Sequence, residues 1–147
     1  MVDVSDKPET VREAAAAGRV LMQPETLRLI LESRVSKGDV FGVARVAGIM
    51  AAKKTPDLIP LCHPIAITSV DISFRPDEAA SCVEITAVVG TTGRTGVEME
   101  ALTAVTASAL AIYDMCKAVD RAMTIADIRL LRKSGGRSGT FERSKQP

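Results

Sequence analysis

The longest helical pattern in the chain runs from Thr91 to Asp120. It opens as a loop with two glycines, and neither Pro nor Gly occurs between Val97 and Asp120. Apolar or small side chains then recur at alternating steps of three and four, the spacing of one helix face: Leu102, Val105, Ala109, Ile112, Cys116 and Val119. Two carboxylates, Glu98 and Glu100, fall in the first turn, where the helix dipole favours negative charge. The pattern predicts a long core helix.

A polar cluster follows near the other end of this helix: Tyr113, Asp114 and Lys117. At 100° and 1.5 Å per residue, Glu100 and Asp114 lie within roughly 40° of each other around the helix and roughly 21 Å apart along it. One small-molecule reaction centre does not span that distance. If both ends serve one active site, the second end must come from another subunit, across a two-fold axis. The alternative is a core helix with capping carboxylates and a surface Asp–Lys pair.

The first half of the chain predicts a strand and two helices. Arg12–Met22 favours a strand, since Gly18 interrupts it and Pro24 then suits the first turn of a helix over Pro24–Ser33. Asp39 is placed to cap a second helix from Val40 to about Lys53. The expected buried stripe of that second helix is Val40, Val43, Ala47 and Met50. Lys37 stands in the loop ahead of it, where a flexible cation could reach an anion at the helix end.

The second half predicts an irregular segment, a hairpin and a last strand. Thr55–Pro64 holds three prolines and is expected to be irregular. Alternating apolar residues predict strands over Ala66–Phe74 and Val83–Val89, joined as an antiparallel hairpin. Met123–Leu131 predicts a strand that ends in the glycine-rich Lys133–Gly139. This order favours an α+β fold of ferredoxin-like type, an antiparallel sheet with helices on one face. We expect one domain over residues 1–147, with 1–10 and 138–147 flexible.

Composition excludes several classes of function. The chain has 147 residues, 46% of them apolar, which suits one folded domain. Its 19 basic and 18 acidic residues give a formal charge of +1, so nothing indicates general binding to nucleic acid or membranes. Three Phe, one Tyr and no Trp make base-stacking platforms improbable. Neither a membrane span nor a signal peptide is apparent, and three cysteines without CxxC spacing suit a reducing cytoplasm.

The only histidine, His63, lies beside Cys62 in the proline-rich segment. The flanking prolines restrain the backbone, which favours a positioned functional group, although a lone histidine is more often structural. A zinc site is not favoured here, because the sequence has no second histidine and the other cysteines fall in a predicted strand and a predicted core helix. A Cys–His nucleophile is also weak, since sequence neighbours seldom face one another.

Two glycine-rich loops pair backbone freedom with cations. TTGRTG (91–96) leads into the long helix, and KSGGRSG (133–139) follows the last strand. Such loops can present N–H groups to phosphate, although neither has the P-loop spacing. Together with the other lysines they suggest a small polyanionic substrate: Lys37, Lys53, Lys54 and Lys117. Asp114 and Lys117, three apart on a helix, are either a weak surface pair or a carboxylate that tunes a catalytic lysine.

Several motifs in one order give the chain a close resemblance to a known family. They are MVDVS and ETVREA near the start, KGDVF (37–41), DLIPLCHP (57–64), TGVEMEALTA (95–104), IYDMCKA (112–118) and KSGG (133–136). The chain resembles the cyclic pyranopterin monophosphate synthase family, MoaC, of molybdenum-cofactor biosynthesis, almost from end to end. Relatives often carry a short segment ahead of MVDVS, and this chain begins at that Met.

The resemblance implies a reaction and an assembly. The family converts (8S)-3′,8-cyclo-7,8-dihydroguanosine 5′-triphosphate, which a radical SAM GTP cyclase makes from GTP, into cyclic pyranopterin monophosphate with release of diphosphate. The expected protein is a cytoplasmic phosphorus–oxygen lyase with a ferredoxin-like fold. It forms a homohexamer, a trimer of dimers with sites at the dimer interfaces. No metal site or required cofactor is implied, although Mg²⁺ could accompany the triphosphate.

The resemblance also implies site residues. Asp114, Lys117 and Lys37 match the catalytic positions. Substrate contacts are implied for Leu61, Cys62, His63, Met99 and Glu100, with Glu98 at the edge, while Lys133 and Arg137 are expected to hold phosphate. Two rivals remain: an inert nucleotide-binding or scaffold protein, which would not need the Asp114–Lys117 pair, and a metal-dependent enzyme that opens the purine ring of GTP.

Overall fold

The computed structural model describes residues 1–144 as one five-stranded sheet with four helices. The strands are β1 (Thr10–Leu21), β2 (Ile67–Asp77), β3 (Cys82–Gly93), β4 (Thr124–Ser134) and β5 (Phe141–Glu142). The helices are α1 (Pro24–Leu31), α2 (Val40–Lys53), α3 (Thr55–Leu58) and α4 (Glu98–Cys116). No helix in this described part is both long and apolar enough to cross a bilayer.

The sheet is antiparallel throughout, in the order β2-β3-β1-β4-β5. The first strand lies in the centre, pairing Ala16 with Ala87 of β3 on one side and with Leu130 of β4 on the other. Helices connect β1 to β2 and β3 to β4, whereas β2 and β3 form a hairpin. This connectivity confirms the predicted α+β fold of ferredoxin-like type.

Small residues along β1 bring α4 close to the sheet. The run Ala14–Ala17 is mostly buried, and a side chain at Gly18 would come within 2.9 Å of Val105 in α4. The strand therefore presents a shallow surface against which a helix packs closely. The same Ala-rich run has good helix propensity, and pairing with strands on both sides explains why it is extended.

The predicted buried stripe of α2 is confirmed only at Val40 and is wrong at Val43, Ala47 and Met50. The buried residues recur at every fourth position instead: Val40, Ala44, Gly48 and Ala52. Val43 and Met50 are exposed, at 48% and 61%. The reason is that α2 packs against α4 through small residues, and Ser108 of α4 donates a hydrogen bond to the carbonyl of Ala44 (3.0 Å). Large apolar side chains identify the core face poorly where two backbones approach this closely.

Other differences are local. The first helix ends at Leu31 rather than Ser33, and the segment expected to be irregular contains the one-turn α3. Val119 lies beyond α4 and is 61% exposed, so it does not continue the buried stripe. The short β5 was not predicted; it pairs with Arg132 and Lys133 of β4. Flexibility of 1–10 and 138–147 stays a prediction, and 145–147 lie outside the described residues.

Candidate active site

The residues expected to form the site fall into separate groups in the folded chain. Asp114, Lys117 and Lys37 meet at the C-terminal end of α4. The LCH segment (61–63) and the last three residues of the VEME segment (97–100) line a cavity at its N-terminal end. Glu100 and Asp114 are fourteen positions apart on this helix, which corresponds to about 21 Å along the axis.

At the C-terminal end, one carboxylate holds two lysines. Lys117 Nζ lies 2.7 Å from Oδ1 of Asp114, and Lys37 Nζ lies 2.8 Å from Oδ2. Lys37 also donates to the backbone carbonyl of Asp114 (3.0 Å). All three side chains are about half exposed, which leaves the ammonium groups accessible to a ligand.

This arrangement keeps the carboxylate ionised. Hydrogen bonds from Lys117 and then Lys37, with the charges of the two ammonium groups, lower the pKa of Asp114 to about 2. Near neutral pH the three groups carry a net charge of +1. The cluster therefore suits an anionic ligand while its carboxylate fixes where both amines lie.

The loop before α2 places Lys37 in this cluster. Asp39 caps the helix as predicted, accepting from the N–H of Gly42 (3.0 Å), and Gly38 supplies a left-handed backbone (φ 102°) for the preceding turn. Lys37 was expected to reach an anion at the N-terminus of α2. It contacts the C-terminal end of α4 instead.

At the other end of α4 lies a cavity of about 360 Å³, which we call the α4-end cavity. Its lining combines the N-terminal segment, the LCH segment and the start of α4: Val2, Val4, Lys7, Leu61, Cys62, His63, Ile65, Thr95, Gly96, Glu98, Met99 and Glu100. The structure thus brings together all six residues expected in the LCH and VEME contacts. Its mixture of apolar and hydrogen-bonding groups suits a heterocyclic ring.

Glu100 is buried to 1% exposure although it carries an acid group. The Cys62 thiol donates to its Oε1 over 3.8 Å, and Oε2 has no hydrogen-bond partner within residues 1–144. Burial is the main reason why the pKa of Glu100 is raised, with a smaller contribution from Glu98. Burial likewise raises the pKa of the Cys62 thiol, and Glu100 adds to that effect. An orphaned acid beside a cavity is a candidate hydrogen-bonding group for a ligand.

The N-terminal segment closes one side of this cavity. The Nε2–H of His63 donates to the carbonyl of Val2 (2.7 Å), and Arg94 donates to the carbonyl of Ser5 (2.7 Å). Residues 2–5 are therefore tied to both the LCH segment and the TTGRTG loop. Nothing in the local pattern of that polar segment indicated this placement.

Lys133 and Arg137 lie in a third region, where the KSGGRSG loop folds beside β1. Arg137 lines a cavity of about 480 Å³, which we call the glycine-loop cavity: Lys7, Pro8, Thr10, Arg12, Gly136, Arg137 and Ser138. Lys133 is not in the lining; it donates to the hydroxyl of Ser138, which is, and to the carbonyl of Gly139 (2.8 Å). Only Arg137 of this pair thus lines the cavity.

Arg12, which the sequence did not single out, joins the two glycine-rich loops. It donates to the carbonyls of Gly93 (2.9 Å) and Arg94 (3.1 Å) in one loop. In the other, a side chain on Gly135 would overlap the carbonyl of Val11, and one on Gly136 would overlap the Arg12 guanidinium. Both glycines also have left-handed backbones, φ 91° and 74°. The GG pair is explained by this close approach.

A metal-binding cluster is not found in the part of the chain that the structure describes. No three or more His, Cys, Asp or Glu side chains gather there as ligands for an ion.

Comparison with known proteins gives one consistent result. The MoaC family model matches residues 1–136. A Pelotomaculum thermopropionicum protein named cyclic pyranopterin monophosphate synthase is 69% identical over 97% of this chain and 84% of its own length. Proteins of that name from Thermomicrobium roseum and a Thermoanaerobacter species are 62% and 64% identical over 97% of this chain, covering 86% and 90% of theirs. The cluster around Asp114 and the α4-end cavity are therefore features of a chain that belongs to the MoaC family.

Proposed function

We propose that this chain is a cyclic pyranopterin monophosphate synthase, a phosphorus–oxygen lyase of molybdenum-cofactor biosynthesis. Its substrate is (8S)-3′,8-cyclo-7,8-dihydroguanosine 5′-triphosphate, and its products are cyclic pyranopterin monophosphate and diphosphate. Family membership and the names of the relatives support this assignment. The observation that carries the chemistry is the contact of Asp114 with both Lys37 and Lys117.

Substrate binding divides between base and phosphate. The α4-end cavity accepts the heterocycle and sugar, with Glu100 and His63 orienting polar edges and Leu61, Cys62 and Met99 forming the walls. Glu98 lies at its rim. The KSGGRSG loop holds phosphate through Arg137, and Lys133 fixes the loop through Ser138 and Gly139.

The lysines transfer protons during the rearrangement. Opening the purine-derived ring and closing the pterin requires protons to leave and return at nitrogen and oxygen, and Lys37 and Lys117 supply and accept them. In the phosphoryl step, a sugar hydroxyl attacks the inner phosphorus and a lysine takes its proton. The new P–O bond closes the cyclic phosphate while the bond to the outer two phosphates breaks. The nearby cations stabilise the departing diphosphate.

The active site is shared between chains in this proposal. Because about 21 Å of α4 separates Glu100 from Asp114, the lysine cluster of one chain completes the α4-end cavity of a two-fold-related chain. Exposed apolar residues on α2 and α4 support burial by further copies: Val43, Val46, Met50 and Leu110. The assembly we propose is a homohexamer, a trimer of dimers.

The remaining assignments follow the chemistry of the substrate. A radical SAM GTP cyclase must act upstream, because the substrate carries a carbon–carbon bond that GTP lacks. We place the enzyme in the cytoplasm and assign it no resident cofactor, with Mg²⁺ free to accompany the triphosphate. Turnover that persists after metal ions are chelated would support this assignment over a metal-dependent enzyme that opens the purine ring. Only the effect of removing Mg²⁺ from the triphosphate should then be seen.

Product analysis after supply of the cyclised dihydro-GTP tests the activity. The wild-type chain should release cyclic pyranopterin monophosphate and one equivalent of diphosphate. Lys37→Ala and Lys117→Ala should each abolish turnover while leaving circular dichroism and oligomer size unchanged. Normal product formation by either variant refutes the role given to that lysine. An Asp114→Ala protein with full activity would favour a binding or scaffold role for the cluster.

Mixing two inactive variants tests the shared site. Lys117→Ala inactivates the lysine cluster at the C-terminal end of α4. Glu100→Ala inactivates the cavity at the N-terminal end. After dissociation and random reassociation, half of the two-fold dimers are mixed and each has one intact site, so about a quarter of wild-type activity should return. Mixing each variant with itself is the control. No recovery, with mixed dimers demonstrated by mass spectrometry, contradicts the shared site.

A further inference from the structure

Lys7 lies at the junction of the two cavities. Of the residues that the structure describes, it is the only one that lines both the α4-end cavity and the glycine-loop cavity. Its side chain is partly buried, and it forms no ion pair within residues 1–144. A cation left unpaired where two cavities meet is available to a ligand that extends through both.

The glycine-loop cavity has the character of an anion site. Among residues 1–144, three of its lining side chains are cationic, Lys7, Arg12 and Arg137, and none is a carboxylate. The hydroxyl of Thr10, in the same lining, is buried and has no hydrogen-bond partner in the described chain. A buried hydroxyl without a partner is uncommon in folded proteins, and a phosphate oxygen would satisfy it.

The α4-end cavity differs in charge. Its acids are Glu98 and Glu100, and besides Lys7 the described part of the chain contributes no lysine or arginine to its lining. A nucleoside triphosphate has a heterocycle that suits this lining and a phosphate chain that does not. The geometry therefore orients such a substrate with its heterocycle at the start of α4 and its phosphates toward Arg137.

We propose that Lys7 contacts the phosphate chain where it passes from the α4-end cavity to the glycine-loop cavity, and that Thr10 donates a hydrogen bond to the outer phosphates. This inference rests on the proposed function for the identity of the substrate. The N-terminal segment is then a functional part of the site. Its ties to His63 and Arg94 hold Lys7 in place.

The test separates phosphate binding from turnover. Calorimetry with inorganic tripolyphosphate measures the anion site directly, and steady-state kinetics with the cyclised dihydro-GTP measures KM and kcat. Lys7→Gln should weaken tripolyphosphate binding and raise KM, each about tenfold, with little change in kcat. It should also make tripolyphosphate binding less sensitive to salt, an effect that a purely structural role would not produce. Thr10→Val should weaken binding about threefold.

Two controls frame these results. Lys7→Arg keeps the charge and should bind tripolyphosphate as the wild type does. Arg28→Gln removes an equal charge from the exposed face of α1 and should change neither tripolyphosphate affinity nor KM. If the wild type turns over and Lys7→Gln matches it in KM and tripolyphosphate affinity, the inference is wrong and the proposed function stands. If the wild type makes no product, the proposed function fails. Loss of tripolyphosphate binding in Lys7→Gln would then still establish the anion site.

Discussion

Lys37 and Asp114 form an ion pair across 77 positions of the chain, with Nζ of the lysine 2.8 Å from Oδ2 of the aspartate. The second oxygen of the same carboxylate holds Lys117 at 2.7 Å. One charged group therefore sets the separation of two amines that come from different elements. In an exposed position such a network stabilises the fold little. Its main consequence is to position the amines for a ligand.

Replacing the charge of Asp114 should damage turnover more than folding. Asp114→Asn keeps the size and one carbonyl oxygen, but it no longer fixes two ammonium groups, so we expect kcat to fall about a hundredfold. Asp127→Asn removes an equal charge at an exposed ion pair with Arg19 and should be neutral. Rates with the cyclised dihydro-GTP and circular dichroism spectra provide the measurement. An Asp114→Asn protein with wild-type kcat would contradict this role.

The same carboxylate should make stability depend on acid pH. The folded pKa of Asp114, about 2, lies below its ordinary value of 3.8. Its contribution is therefore present above about pH 4 and is lost as the pH falls from 3.8 through 2. Urea midpoints of wild type and Asp114→Asn should converge over that interval. A constant difference from pH 5 to pH 2 would show that protonation of this group is not linked to folding.

Glu100 should show the opposite dependence. Burial raises its folded pKa above 4.5, so the folded state favours the protonated acid. The associated stability is present below pH 4.5 and is lost as the pH rises through the folded pKa. Glu100→Gln does not titrate, and its stability relative to wild type should therefore increase between pH 4 and pH 8. Denaturant midpoints at both pH values measure this, with Glu25→Gln as the same change on exposed α1. A relative decrease would contradict burial as the cause.

Two glycines of the KSGGRSG loop should differ in their tolerance of alanine. Both have left-handed backbones, but a methyl group at Gly135 overlaps the carbonyl of Val11, whereas nothing lies within 4 Å at Gly139. Gly139→Ala should cost about 1 kcal/mol through backbone strain alone. Gly135→Ala should cost about 3 kcal/mol and weaken tripolyphosphate binding. Equal unfolding free energies for the two variants would rule out the overlap with β1.

The contact between α2 and α4 should be sensitive to one methyl group. Alanine at Gly48 gains about 1 kcal/mol in helix propensity. The added atom, however, overlaps Ser108 and Ile72 and lies 2.9 Å from the carbonyl of Ala104. We expect overpacking to prevail, with a net loss of about 1–2 kcal/mol in the free energy of unfolding. A second substitution, Ser108→Ala, should recover part of the lost free energy of unfolding. A Gly48→Ala protein more stable than wild type would contradict the close approach.

Features that depend on near neighbours were predictable from the sequence. Periodicity identified α4 and the β2–β3 hairpin because helix and strand spacings expose their buried faces directly. Helical geometry brought Asp114 and Lys117 together, since residues three apart share a face. The cap by Asp39 was equally local. Its loop position and the motif resemblance both singled out Lys37, but neither indicated its contact with Asp114.

Features that depend on packing were not predictable in this way. The core face of α2 was misassigned because Gly48 and Ala44, rather than its larger apolar residues, face α4. Arg12 was overlooked because its carbonyl partners lie 81 and 82 positions away. The place of Lys7 between two cavities likewise depends on how the N-terminal segment is tied to distant loops.

By itself, then, the sequence determined the order of β1 to β4 with α1, α2 and α4, the α+β class, and the pairing of residues within one turn of α4. Hydrogen bonding and side-chain periodicity act over a few residues and leave their pattern in the chain. Tertiary structure alone decided that Lys37 reaches Asp114, that one carboxylate oxygen of Glu100 has no partner in the described chain, and that the two glycine-rich loops meet at Arg12. These relationships arise when distant segments exclude water together, and no local spacing encodes them.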